Sequence, residues 1–282
     1  MKSGVLLLAH GAPERVEDVG EYLSYVRGGQ TVSPRVLEEV RSRYAAIGGS
    51  SPLTRWTRVQ AEALQGQLGI PVFFGMRNWH PFIKASLEQA RAEGVQRLAC
   101  LCLTPQFSEM SIGLYMRHAQ SAAGGIELVW AKSYHDEPLL IQAFAEKLRG
   151  MDGRVLFTVH SLPAPNPEYD RESRATARAV AECAGVAEWD FAFQSQGMSG
   201  GQWLGPTVES CLERFAAEGV RKVVLQPVGF VCDHVEILYD VDVHFREIAA
   251  QQGIELKRPE SLNGSALFTR ALAEVAGRCL AS

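Results

Sequence analysis

The chain has 282 residues, 46% of them hydrophobic and 21% charged, with a formal net charge of −4. This is the composition of a globular protein long enough for one large or two ordinary domains. The 28 basic residues are scattered rather than gathered into a stripe, which excludes nucleic acid as the expected partner.

The apolar run Val5–Ala9 opens the chain as a strand. It is too short for a signal segment or a membrane span, only Lys2 precedes it, and no later run approaches spanning length. A cytoplasmic protein with no stable membrane anchor is therefore expected. Helical periodicity covers Ser51–Leu68, followed by a strand at Val72–Gly75, a helix at His80–Glu93 and strands at Leu98–Leu103 and Leu128–Ala131. A helix at Glu137–Arg149 then leads to strands Val155–Val159, Phe191–Gln194 and Val223–Pro227. These alternate with helices Asp170–Ala184 and Gly205–Glu218, and Gly264–Leu280 closes the chain. Alternation at this rate predicts an α/β protein with parallel sheets built from βαβ units.

Two loops repeat. Leu6-Leu7-Leu8-Ala9-His10-Gly11-Ala12-Pro13 and Leu156-Phe157-Thr158-Val159-His160-Ser161-Leu162-Pro163 both end an apolar run in a histidine, small residues and a proline. Ala92-Glu93-Gly94-Val95 and Ala217-Glu218-Gly219-Val220 repeat in the same order, each reading as a helix end with a glycine cap before a strand. AEGV-type exits are common in α/β proteins, yet two echoes in matching order favour tandem domains. Ligands bind beyond the carboxyl ends of such strands, so two similar domains facing one cleft are expected, each offering it a histidine. The boundary is placed near residue 133, giving domains 1–133 and 134–282, with the closing helix a candidate to pack back on the first.

The six cysteines form no metal pattern. Cys100 and Cys102 fall on one face of a strand and read as buried, reduced thiols. Glycine-rich turns open two helices, at Ile47–Leu53 and at Gly197–Thr207. Either is suited to an anion at a helix N-terminus or is simply a capped loop; neither matches a nucleotide-binding fingerprint.

The densest polar cluster is Asp233–His244. As an α-helix it would place Glu236, Asp240 and His244 on one stripe, a ladder about 12 Å long. No lysine or arginine lies between Asp233 and Phe245, and like charges in a row are unfavourable unless a cation or proton offsets them. A cation path or proton relay is expected, with a plain acidic face as the alternative. A strand-end imidazole (His160) opposite a carboxylate (Glu236) suits insertion of a divalent metal into a macrocycle, where two ring N–H protons leave as the metal enters.

Four segments resemble ferrochelatase: Tyr44-x-x-Ile47-Gly48-Gly49-x-Ser51-Pro52-Leu53, His160-Ser161-Leu162-Pro163, Trp203-Leu204-Gly205-Pro206, and Pro227-Val228-Gly229-Phe230-Val231-x-Asp233-His234-x-Glu236-x-Leu238-Tyr239-Asp240. They stand in family order and span nearly the whole chain. The opening Ala9-x-Gly11-x-Pro13 is more similar to the coproporphyrin III ferrochelatases of Gram-positive-type bacteria than to the protoporphyrin enzymes.

The resemblance implies two Rossmann-like, chelatase-type domains and a lyase of haem biosynthesis that inserts Fe2+ into coproporphyrin III. It implies His160 and Glu236 as the catalytic pair and metal ligands, with Asp240 and His244 as the metal-handling ladder behind them. His10 falls where relatives place a tyrosine on the other face of the macrocycle, and is a candidate nitrogen ligand to the product iron. Arg27, Ser51, Arg77, Asn78 and Tyr115 match porphyrin contacts, and Trp203 an apolar wall. No organic cofactor is implied; Fe2+ is a substrate, an accessory divalent cation is possible, and a monomer passing its product to a haem-pathway enzyme is expected. Protoporphyrin insertion, sirohydrochlorin cobalt or nickel chelation (that family also opens with a strand and His-Gly) and a non-catalytic haem or porphyrin carrier are the alternatives.

Overall fold

The computed structural model describes residues 1–197 and 201–282. Strands β1 (Ser3–Ala9), β2 (Val72–Met76), β3 (Arg97–Cys102) and β4 (Glu127–Ala131) form a parallel sheet in the order β2-β1-β3-β4. Strands β5 (Arg154–His160), β6 (Trp189–Gln194), β7 (Lys222–Pro227) and β8 (Glu255–Lys257) form a second parallel sheet in the order β6-β5-β7-β8. The two orders are the same once the second is renumbered, so the fold repeats as the sequence echoes predict. In both halves the order reverses beside the strand that ends in histidine, which is where open α/β sheets leave a crevice.

In the first half, α1 (Val19–Val26), α2 (Pro34–Ala46) and α3 (Leu53–Leu68) separate β1 from β2, and α4 (Ile83–Ala92) and α5 (Ile112–Ala122) follow β2 and β3. The second half carries α6 (Pro138–Leu148), α7 (Pro167–Ala184), α8 (Val208–Ala217), a π-helix (Glu236–Phe245), α9 (Arg246–Gln251) and α10 (Ala266–Ala281). The echoed helix exits are matching caps. Gly94 and Gly219 take φ of +77° and +81°, conformations that favour glycine. The amides of Val95 and Val220 then reach back to the carbonyls of Ala90 and Phe215 at 3.0 and 2.9 Å.

Alternation along β1 decides where the core lies. Val5 and Leu7 point into one large cluster that also holds Leu101, Phe144, Phe157, Val224, Phe268 and Leu272, and so joins both sheets. Leu6 and Leu8 face outward into a smaller cluster with Leu87, Cys100 and Cys102, and Leu156 and Leu225 do the same in the second half with Phe215 and Val241. All six thiols are free, and Cys100 and Cys102 are buried on one face as expected. The closing helix α10 packs against α3, α6, β3 and β4, and Arg278 pairs with Glu137 across the α6 start.

Several boundaries differ from expectation for local reasons. Helix α8 begins at Val208 rather than Gly205, because the Thr207 hydroxyl accepts from the Ser210 amide at 3.2 Å and sets the cap there. Helix α7 starts early, with Pro167 in its first turn. Helices α1, α2 and α5 and the three-residue edge strand β8 lie outside the runs named from periodicity. Three residues of the second glycine-rich turn, Met198, Ser199 and Gly200, lie outside the described residues.

Candidate active site

β1 and β5 hold the same place in their sheets and deliver His10 and His160 to a common cavity of about 550 Å³. That volume is within the range of sites for drug-sized ligands. The ends of β3 and β7 contribute Leu103, Thr104 and the stretches Gly229–Cys232 and His234–Glu236, while α1 and the loop before α5 supply Val26 and Met110.

One wall carries the carboxylate and two imidazoles. His160 Nδ1 lies 3.4 Å from Glu236 Oε2, and His234 Nε2 approaches the same oxygen at 3.8 Å. The His160 carbonyl accepts from the Tyr169 hydroxyl at 2.9 Å, and His234 Nδ1 lies 3.0 Å from the Cys232 carbonyl. His160 and Glu236 keep 31% and 38% of their side-chain surface open, and both line the cavity. Burial alone would lower the His160 pKa, but Glu236 and, more weakly, Asp240 outweigh it and hold it above the ordinary value. Burial would raise Glu236, and the two histidines overcome this and hold it well below the carboxylate range. The pair can thus share a proton, or give it up to solvent as a cation takes its place, without either group leaving the cavity.

Behind Glu236 the expected α-helical ladder does not form. The segment is a π-helix, in which i→i+5 bonding widens each turn, so steps of four drift around the axis. Glu236 faces the cavity, Asp240 is buried at 5% exposure, and His244 is exposed. Asp240 accepts a short hydrogen bond from the Ser195 hydroxyl and lies 3.8 Å from Arg43 Nη1. Burial and Glu236 nonetheless raise its pKa. The cation missing from the local sequence comes from α2, so the lack of lysine and arginine in this stretch does not by itself imply a cation path. Among the described residues no group of three or more His, Cys, Asp or Glu is arranged to hold a metal ion. Of the four expected metal residues, His160 and Glu236 line the cavity, while Asp240 and His244 lie outside its lining.

The opposite wall is built around His10. Its Nε2 lies 3.1 Å from the Tyr22 hydroxyl, Asn78 Nδ2 lies 3.3 and 3.2 Å from Nδ1 and Nε2, and Arg77 Nη2 lies 3.4 Å from Nδ1. Guanidinium can only donate, so Nδ1 is the acceptor and Nε2 carries the proton toward Tyr22. Burial, reinforced by Arg77, lowers the His10 pKa to about 3, which keeps the ring neutral. Arg77 also lies over the Tyr115 ring at 5.1 Å. Gly11, with φ of +87°, has no room for a Cβ, which would stand 2.8 Å from Trp79. A second cavity, of about 430 Å³ between α4 and α5, shares Arg77 with the first and is edged by Lys84 and His118.

Of the expected porphyrin contacts, His10, Arg77, Tyr115 and Trp203 line the main cavity. Asn78 stands one layer behind, against His10. Arg27 ends α1 as an exposed residue beside the rim, outside the lining. Ser51 is buried at 2%, lies outside the cavity lining, and its hydroxyl accepts locally from the Leu53 amide at 3.4 Å. Sequence reasoning missed Tyr22, Tyr169, Ser195 and Arg43 as parts of the site. No motif marks them; each reaches it from a distant segment. His234 was legible in the Asp233-His234-x-Glu236 block but carried no assigned role.

Two matching parallel sheets with a histidine–glutamate pair in the cavity at their strand ends define a chelatase architecture. The solved structure of the sirohydrochlorin chelatase SirB from Bacillus subtilis subspecies spizizenii, in complex with cobalt, shares this fold with a TM-score of 0.63 at 12% identity, covering 99% of this chain and 95% of that one. The ferrochelatase family model matches residues 2–279, and the chain belongs to the ferrochelatase family. It is 45% identical to a ferrochelatase of Acidobacterium capsulatum, over 98% of this chain and 94% of the relative. It is 33% identical to a coproporphyrin III ferrochelatase of Geobacillus sp. (strain WCH70), over 97% and 96%. The family's reaction is that of a lyase inserting metal into a porphyrin, with ferrous iron and porphyrin as substrates. Among the described residues no helix is long and apolar enough to cross a membrane.

Proposed function

We propose that the chain inserts ferrous iron into coproporphyrin III to give coproheme, with His160 and Glu236 as the insertion pair. The observation that carries this reading is the 3.4 Å His160–Glu236 contact on one wall of a cavity whose other wall presents neutral His10. Insertion releases two pyrrole N–H protons for each Fe2+ bound. Glu236, held ionised, attracts the cation and accepts one proton. Neutral His160 accepts the other, so the proton it keeps at low pH has to leave before iron enters.

The tetracarboxylate substrate is supported by the Ala9-x-Gly11-x-Pro13 opening and by several coproporphyrin III ferrochelatases among the relatives at 31–33% identity. Among the described residues Arg77, a cation on the cavity wall, makes no ion pair with a carboxylate, and arginine forks carboxylates well. A propionate that draws Arg77 away would remove one of the two donors at His10 Nδ1, the other being Asn78, so carboxylate capture and the use of His10 as a nitrogen ligand to product iron are coupled. The deciding assay is anaerobic, with ferrous iron and coproporphyrin III, protoporphyrin IX or sirohydrochlorin, followed by Soret absorbance. Coproporphyrin III turns over fastest and His160→Ala reduces the rate at least a hundredfold. Undiminished insertion by that variant overturns the mechanism, and preference for another tetrapyrrole overturns the substrate.

A further inference from the structure

The ten-residue π-helix that carries Glu236 needs an external hold, because its winding is rare as an extended element. Arg258, the first residue after β8, supplies one. Its side chain is 10% exposed, with Nε and Nη2 on the two carboxylate oxygens of Asp242 at 3.0 and 2.7 Å. The third nitrogen, Nη1, lies 3.2 Å from Asp233 Oδ1 and also donates to the Pro259 carbonyl and the Ser261 hydroxyl at 3.1 and 3.2 Å. Asp233 is fixed further: it accepts from Ser261 Oγ at 2.7 Å and Asn263 Nδ2 at 2.8 Å, and its amide donates to Asn263 Oδ1 at 2.8 Å.

One guanidinium therefore grips the chain on both sides of His234, Glu236 and Asp240. Neither Arg258 nor its two carboxylates line the cavity, so none of them meets the substrate. We propose that Arg258 is a positioning residue for metal insertion: by clamping Asp233 to Asp242 it fixes Glu236 and His234 at their distances from His160. A lysine preserves the charge but not the three-nitrogen fork that spans two carboxylates.

The inference rests on His160 and Glu236 being the insertion pair, so Glu236→Gln is measured beside Arg258→Lys and Asp242→Asn. The assay is anaerobic iron insertion into whichever porphyrin the wild type prefers, with melting temperatures recorded. Groups that orient metal-site residues typically carry a 10–100-fold effect. A fall in kcat of about that size, with KM for porphyrin within about twofold and the variants folded, is the expected result. Wild-type kcat in both clamp variants overturns the proposal. So does a loss of rate that merely follows the folded fraction. If Arg258→Lys fails to fold, Asp242→Asn, which leaves the arginine packed in place, decides the matter. Full activity in Glu236→Gln overturns the pair itself, which separates that failure from failure of the clamp alone.

Discussion

His10 and His160 occupy equivalent strand ends, yet their surroundings drive them apart. Burial lowers both pKa values; at His160 a carboxylate outweighs it, and at His10 a guanidinium adds to it. NMR titration of His160 is expected to show an inflection above the ordinary 6.5, moving lower in Glu236→Gln; the same inflection in both proteins would exclude Glu236 as the cause. Insertion correspondingly speeds up as pH rises through that value. The stabilisation from this raised pKa is full below pH 6.5 and is lost as pH climbs through the folded value. His10 has the opposite sign. Between 6.5 and about 3 the unfolded chain takes up a proton that the folded one refuses, so stability falls with pH by up to about 1.4 kcal/mol per unit. His10→Gln is expected to flatten that slope between pH 6.5 and 4.5 in urea titrations, above the range where Glu236 protonates. His160 and Glu236 were legible because each sits in a short contiguous motif, His160-Ser161-Leu162-Pro163 and Asp233-His234-x-Glu236. Arg43, Ser195 and Tyr22 were not, because contacts made over long sequence separations leave no local spacing to read.

At the scale of elements, periodicity located the long strands and most helices, since each buries a continuous apolar face. It failed where the backbone departs from the standard repeats. The Glu236–Phe245 segment contains Ile237, Val241 and Phe245 at spacings of four, a pattern that also fits an α-helix, and all three are buried. Nothing in that pattern distinguishes the wider winding, which is supported instead by Arg258 and Arg43 from outside the segment. The closing helix was visible as a helix and a candidate to pack back on the first half; the elements it meets, α3, β3, β4 and α6, were not. Phe268 at its start is fully buried in the cluster that joins both sheets. Truncating it to alanine is expected to cost about 3–5 kcal/mol. Thermal unfolding of Phe268→Ala should remain a single transition at lower temperature; a new, separate transition for one half would contradict the shared core.

At the scale of the molecule, the duplicated sheets were legible from two short echoes, and their topologies match strand for strand. The way they meet was not, because hydrophobic alternation tells which face of a strand is covered but not what covers it. The inner faces of both sheets and the helices between them contribute to one cluster. That cluster has a consequence for the halves taken apart. Either half alone would leave its inner face bare to water, because each covers the other. Expressed separately as residues 1–133 and 134–282, the halves are expected to be insoluble alone and to recover a folded complex when co-expressed. Stable, monomeric halves would contradict the shared core.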